Sequence, residues 1–153
     1  MNAFARSRPA PDYPHGVDPG LDAALRSTLT PREPGAGVDA LSLIMPTMAG
    51  DPAFRAWWDG AGRRAAGPAA AAALIDLLTR ADVRHLLPLV GAPTLVVVGR
   101  GCPVYDPGHG EHLVRHLRNA TLAGHRAVDD SWWIGDGAFV LAAFDRFVGA
   151  LPG

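Results

Sequence analysis

One run of residues constrains this chain more than any other: Thr94-Leu95-Val96-Val97-Val98, entered through Gly91-Ala92-Pro93 and left through Gly99-Arg100-Gly101. The run is apolar and β-branched and shows no alternation with polar residues. That pattern predicts a strand over Pro93 to Val98 covered on both faces, as in a parallel sheet flanked by helices. In such sheets functional groups collect at the carboxyl ends of the strands. The turn from Gly99 to Asp106 is therefore the first place to look for chemistry, and it carries Cys102, Pro103, Val104, Tyr105 and Asp106.

The residues around this strand divide the chain in two. Residues 1–36 are rich in Pro, Gly and Arg and read as loop, except for a short helix over Leu21 to Leu29. Val38 to Met48 has helical spacing interrupted at Pro46. Asp51-Pro52 supplies an N-cap and a first-turn proline for a helix holding Phe54, Trp57 and Trp58, with Gly60 and Gly62 expected to end it. Gly67-Pro68 opens a further helix over Ala69 to Thr79, whose alanine run has high propensity, and Asp82 to Leu87 reads as one more turn. After the strand come a helix over about Gly108 to Leu117, a short strand over Ala120 to Arg126 and a loop to Gly135. The last helix carries Phe139, Val140, Ala143, Phe144, Phe147 and Val148 as one apolar face. The expected organisation is a helical region over residues 1–88 and a β-α-β-α unit over residues 89–153, an α/β class overall.

Charge and composition exclude several roles. The formal net charge is −1, so neither nucleic acid nor an anionic membrane surface is an expected partner. No apolar run approaches the roughly 20 residues that span a bilayer, and the first residues lack the pattern of a signal peptide. Cys102 is the single cysteine, so no disulfide forms within the chain, which fits a cytoplasmic location. All 14 basic residues are arginine, a bias that fits a GC-rich coding sequence.

An ordered series of short segments resembles one family. The segments are Phe4-Ala5-Arg6, Ala10-Pro11-Asp12-Tyr13-Pro14, Asp51 to Trp58, Asp82 to Pro88, Pro93 to Val97, His109-Gly110 and Ile134-Gly135-Asp136. In order and spacing they resemble the C-terminal half of α/β-hydrolase-fold proteins. More narrowly, they resemble the hydrolase domains found beside actinobacterial adenylate/guanylate cyclases. The resemblance implies a partial α/β-hydrolase fold, with a helical lid-like N-terminal half followed by the last two strands and helices of the sheet. It also implies that the half bearing the Gly-x-Ser-x-Gly nucleophile elbow is missing. Of the four serines, Ser7, Ser27, Ser42 and Ser131, none has the glycine flanks of that elbow.

The same resemblance assigns positions to the other two triad members. Anchoring on His109-Gly110 puts Cys102 where the family has its acid. The family's histidine falls on Asp130, or on Ser131 after a one-residue slip. A neutral thiol cannot charge-stabilise an imidazole, and neither Asp130 nor Ser131 is a base near neutrality. Asp106 and His125 are the stand-ins that a rearranged loop would use. Cys102 is either a reactive thiol at a strand-end turn or, as the resemblance implies, a small residue tolerated where an acid was lost; the second is favoured because no base lies near it in sequence to activate it. His109, His112 and His116 read as surface or interface histidines. His112 and His116 stand four residues apart, but with no third ligand the chain offers no metal site. The pairs Trp57-Trp58 and Trp132-Trp133 are candidates for lining an apolar substrate pocket, beside the plainer role of lid and core packing. Asp129 and Asp130 read as solvated loop residues, and Asp136 as the N-cap of the last helix. No cofactor is implied.

Three functional expectations follow. The chain is a hydrolase-superfamily portion lacking catalytic activity as it stands, or a binding and complementing subunit, or a truncated form of an ester or acyl hydrolase. In the second case it self-associates or takes a partner chain at the open edge of its sheet.

Overall fold

The computed structural model describes residues 3–27 and 38–151. Nine elements follow one another among them: α1 (Pro19–Ser27), α2 (Ala40–Ile44), α3 (Pro52–Ala65), α4 (Pro68–Arg80), a 3-10 helix (Arg84–Leu89), β1 (Thr94–Gly99), α5 (Gly108–His116), β2 (Ala120–His125) and α6 (Gly137–Gly149). The helices come first in the chain and a β-α-β-α succession follows. The end of the expected first helix, Thr28 and Leu29, lies outside the described residues.

β1 and β2 pair in parallel, from Thr94 opposite Ala120 to Gly99 opposite His125. Parallel neighbours need a crossover between them, and α5 supplies it. Val96 and Val98, two residues apart and so on one face, form a core cluster with Leu113 of α5, Leu87 of the 3-10 helix and Ala5. Val97 points to the other face and is buried as well. α6 also packs against both strands. Gly110 sets the approach of α5 to β1: a Cβ there would lie 2.1 Å from Cγ1 of Val98.

Two helices depart from expectation. α3 does not stop at Gly60 or Gly62 but continues to Ala65. A glycine costs a helix interior about 1 kcal/mol relative to alanine, which weakens the helix without breaking it. The chain leaves the helix at Ala66, which is extended and two residues ahead of Pro68. α6 does not bury its apolar face as a whole: only Val140 and Ala143 are buried, while Phe139, Phe144 and Val148 are exposed. Two strands are too narrow a platform to cover the stripe. No helix among the described residues is long and apolar enough to cross a membrane.

The N-terminal segment locks onto α5 through a buried polar cluster. Tyr13 is fully buried, and its hydroxyl lies 2.6 Å from Nδ1 of His109. The His112 ring meets the Tyr13 ring edge-on, centroids 4.7 Å apart. His109 and His112 are thus core residues, 3% and 7% exposed, and not the surface histidines expected from sequence. The reason is a contact across 96 positions that no local pattern announces.

Two outcomes follow. Gly110→Ala should destabilise the fold by about 1–3 kcal/mol, because the added methyl overpacks a closed contact. Urea unfolding of the variant checks it. Burial lowers the pKa of His112 from 6.5 to about 4, and lowers that of His109. The folded state therefore prefers neutral imidazoles, while the unfolded chain takes up protons first. Stability should be full above pH 6.5 and fall as the pH drops toward about 4. Unfolding followed across that window checks this, and His112→Gln should reduce the slope.

Candidate functional site

Parallel pairing in register brings two loops to one end of the sheet. β1 ends at Gly99 and β2 at His125, so residues 100–107 and 126–136 leave side by side. The loops touch at Gly101, where a Cβ would come within 2.8 Å of the Arg126 carbonyl oxygen. Glycine is required there for the two backbones to meet.

Cys102 sits in the first loop, half-buried. Burial raises the pKa of its thiol above the usual range. Backbone N–H groups of Val104 and Tyr105 act against that shift, and the charges of Asp130 and Asp129 reinforce it. The structure thus brings Cys102 and Asp130 to within electrostatic reach of each other. Tyr105 belongs to the same group: burial, with Asp130 adding to it, pushes its phenol up to about 12. At neutral pH the first loop thus holds a protonated thiol and a protonated phenol, neither of them a base suited to activating a hydroxyl.

Asp129 corrects the expectation of a solvated loop, being 2% exposed. Its carboxylate accepts from the backbone N–H of Thr47 at 3.1 Å and from the Thr47 hydroxyl at 2.5 Å. The Asp130 N–H donates to the Ile44 carbonyl at 2.8 Å. The second loop is therefore tied to the segment after α2. Ser131 is buried beside it, and its carbonyl accepts from Ile134 N–H at 3.0 Å.

The two stand-ins do not pair. Asp106 turns toward α5, where it accepts from Gly108 N–H at 2.6 Å and lies 3.7 Å from Nδ1 of His15. It serves the open first turn of the helix, where orphan N–H groups attract a carboxylate. His125 is buried at the end of β2, and the carboxylate beside it is Asp136, with Nδ1 3.8 Å from Oδ2. That is too long for a hydrogen bond, and Nδ1 has no partner. Asp136 occupies the N-cap position of α6 as expected, but its side chain makes no cap hydrogen bond. Its carboxylate accepts instead from the Arg126 N–H at 3.2 Å.

Next to the loops lies a cavity of about 810 Å³ lined by residues of α1 to α4 and by Val104 and Tyr105. Its apolar wall includes Leu41, Ile44, Trp58 and Ile75. Of its acidic lining residues, Asp22 pairs with Arg26 and Asp39 with Arg55. Of the four tryptophans, only Trp58 lines this cavity. Trp57 is 54% exposed and leans on Phe54, while Trp132 and Trp133 meet each other edge-on with Trp133 59% exposed. Among the described residues no cluster of three or more His, Cys, Asp and Glu side chains suits a metal ion. Sequence reasoning missed Tyr105 and Thr47 as parts of this site. Tyr105 was signalled by its place in the strand-end turn, whereas nothing local marks Thr47.

The solved structures that match the chain are α/β-hydrolase esterases and hydrolases, and they match it at the level of fold. An esterase from Exiguobacterium antarcticum superposes with a TM-score of 0.71 at 14% identity, covering 95% of this chain and 54% of that one. A hydrolase from Pseudomonas aeruginosa PA01 gives a TM-score of 0.63 at 20% identity, covering 97% and 54%. The chain thus has the fold of part of an α/β-hydrolase and spans about half the length of these solved relatives. In sequence, it is 39% identical over 59 residues to pimeloyl-(acyl-carrier protein) methyl ester esterase of Neisseria meningitidis serogroup C / serotype 2a, covering 39% of this chain and 23% of that protein. No profile of a described protein family matches the chain.

The thiol should behave as a protonated, sheltered group. Iodoacetamide should label Cys102 in the folded protein more slowly than free cysteine at neutral pH, and at the free rate after unfolding in urea. Mass spectrometry over time checks this.

Proposed function

We propose that this chain is the lid-bearing, C-terminal portion of an α/β-hydrolase-superfamily protein and that it has no ester-hydrolase activity as it stands. The observation that carries this is the strand-end pair: a thiol held protonated at Cys102 and a carboxylate at Asp130, where the superfamily resemblance expects acid and histidine. Acyl transfer needs a neutral base near the nucleophile and an anion to hold that base. Neither is supplied by Cys102 and Asp130, and His125 and Asp136 stand too far apart to replace them. The apolar cavity beside Trp58 and Tyr105 supports a role in holding a small apolar group, acyl chains by superfamily analogy. The narrower likeness to hydrolase domains beside actinobacterial cyclases rests on the ordered sequence segments alone.

A second reading has its own support. Among the described residues the sheet has two strands only, and β1 pairs with β2 alone. An unpaired edge beside buried valines, with the exposed stripe of α6 nearby in the fold, suits a complementing chain or a second copy. A truncated ester hydrolase would present the same edge to its own missing strands.

Assays with p-nitrophenyl acetate and butyrate should give no turnover above a denatured control, while the butyrate ester should quench the fluorescence of the wild-type protein and not that of Trp58→Phe. Saturable turnover abolished by a serine-directed phosphonate would overturn the inactive reading. Light scattering across a concentration series addresses the second reading, which a monomer at every concentration would sink.

A further inference from the structure

The cavity beside the strand-end loops is apolar along most of its wall, so its few polar side chains decide what can settle in it. Asp22, Asp39 and Asp59 line it, and among the described residues no cationic side chain does. The Arg55 guanidinium, with the Ser42 hydroxyl, holds the pKa of Asp39 down at about 2, so that carboxylate is ionised at neutral pH. A ligand carrying its own carboxylate would meet like charge at this wall. The Thr79 hydroxyl is already engaged: it donates to the Ile75 carbonyl at 2.5 Å and accepts from the Arg26 guanidinium at 2.5 Å.

Tyr105 differs from these. Its ring stacks on that of Phe4, with centroids 6.1 Å apart and planes 19° apart, and both residues line the cavity. The stack fixes where the phenol stands. Its hydroxyl has no hydrogen-bond partner among the described residues. It is also not sealed off, as the unpaired ring nitrogens of His109, His112 and His125 are, so a ligand can reach it. Burial, with the charge of Asp130, keeps the phenol protonated at neutral pH. The hydroxyl is therefore a donor whose proton is not yet used. Ser7 and Trp58 also bring donors to the lining, but only Tyr105 brings one from the loop that leaves the carboxyl end of β1.

We propose that Tyr105 selects the ligand of this cavity: its hydroxyl donates a hydrogen bond to the carbonyl oxygen of a small neutral carbonyl compound whose apolar part lies against Leu41, Ile44 and Ile75. The proposal rests on the reading of the cavity as a holder of a small apolar group, and it adds the contact that orients that group. One well-placed polar contact in an apolar pocket sets both orientation and specificity. A hydrocarbon would leave the hydroxyl unpaired, and a carboxylate would face the charges of the lining.

The intact chain is titrated with cyclohexanone, cyclohexane and cyclohexanecarboxylate, which share one ring and differ in polar group. Binding is read from the Trp58 indole signal in proton–nitrogen spectra, assigned with Trp58→Phe. Wild-type protein is compared with Tyr105→Phe, which keeps the ring on Phe4 and removes only the hydroxyl. The expected result is saturable binding of both neutral rings, with cyclohexanone weakened about fivefold in Tyr105→Phe and cyclohexane unchanged. The carboxylate should bind more weakly than the ketone. The carbonyl stretch of bound cyclohexanone should lie lower in the wild type than in the variant, a readout that a merely structural role of Tyr105 would not move. Equal losses for ketone and hydrocarbon, an unchanged ketone affinity, or a carboxylate bound as tightly as the ketone would each overturn the proposal and leave the apolar-cavity reading in place. No saturable binding of any of the three would overturn both.

Discussion

The close contact of α5 with β1 is the constraint on which the rest depends. Two parallel strands can lie side by side only if the chain between them returns along a face of the sheet, and here the return is a helix of nine residues. Gly110 lets that helix settle directly onto Val98. Once it has settled, Leu113 closes on Val96 and Val98, and the register with β2 follows. Gly99 and His125 then finish level, so the loops after them face one another. The same helix presents His109 and His112 to Tyr13, which draws the N-terminal turn onto the fold.

Electrostatics at the loop end follow from this placement. A buried thiol with carboxylates nearby disfavours additional negative charge. That is the reverse of an oxyanion hole, where oriented donors await a developing anion. That character is set by Cys102 and Tyr105, both shifted up by burial, with the charge of Asp130 adding to each.

How much of this was legible in the sequence depends on the range of the interaction that decides it. β1 was legible because β-branched residues in an unbroken apolar run leave little choice of conformation. α5 and β2 followed from spacing and turn residues, and the ordered segments pointed to the fold that the solved relatives share. The misreadings came from elsewhere. Gly60 and Gly62 looked like a helix end because glycine weakens a helix, but a cost of about 1 kcal/mol each does not break one. The stripe on α6 looked like a buried face because sequence does not say how wide a sheet the helix lies on. His109, His112 and Asp129 looked solvated because their partners, Tyr13 and Thr47, are far away in the chain. Asp136 was legible as the N-cap position of α6, but not that its carboxylate would bond the N–H of Arg126 instead of the helix.

The tether between the second loop and the lid has a mechanical consequence. Thr47 and Ile44 grip Asp129 and Asp130 through three hydrogen bonds, so the loop cannot stay still while α2 moves. A displacement of α2 would therefore shift the charges that face Cys102, so the electrostatic setting of the thiol is coupled to the position of that helix.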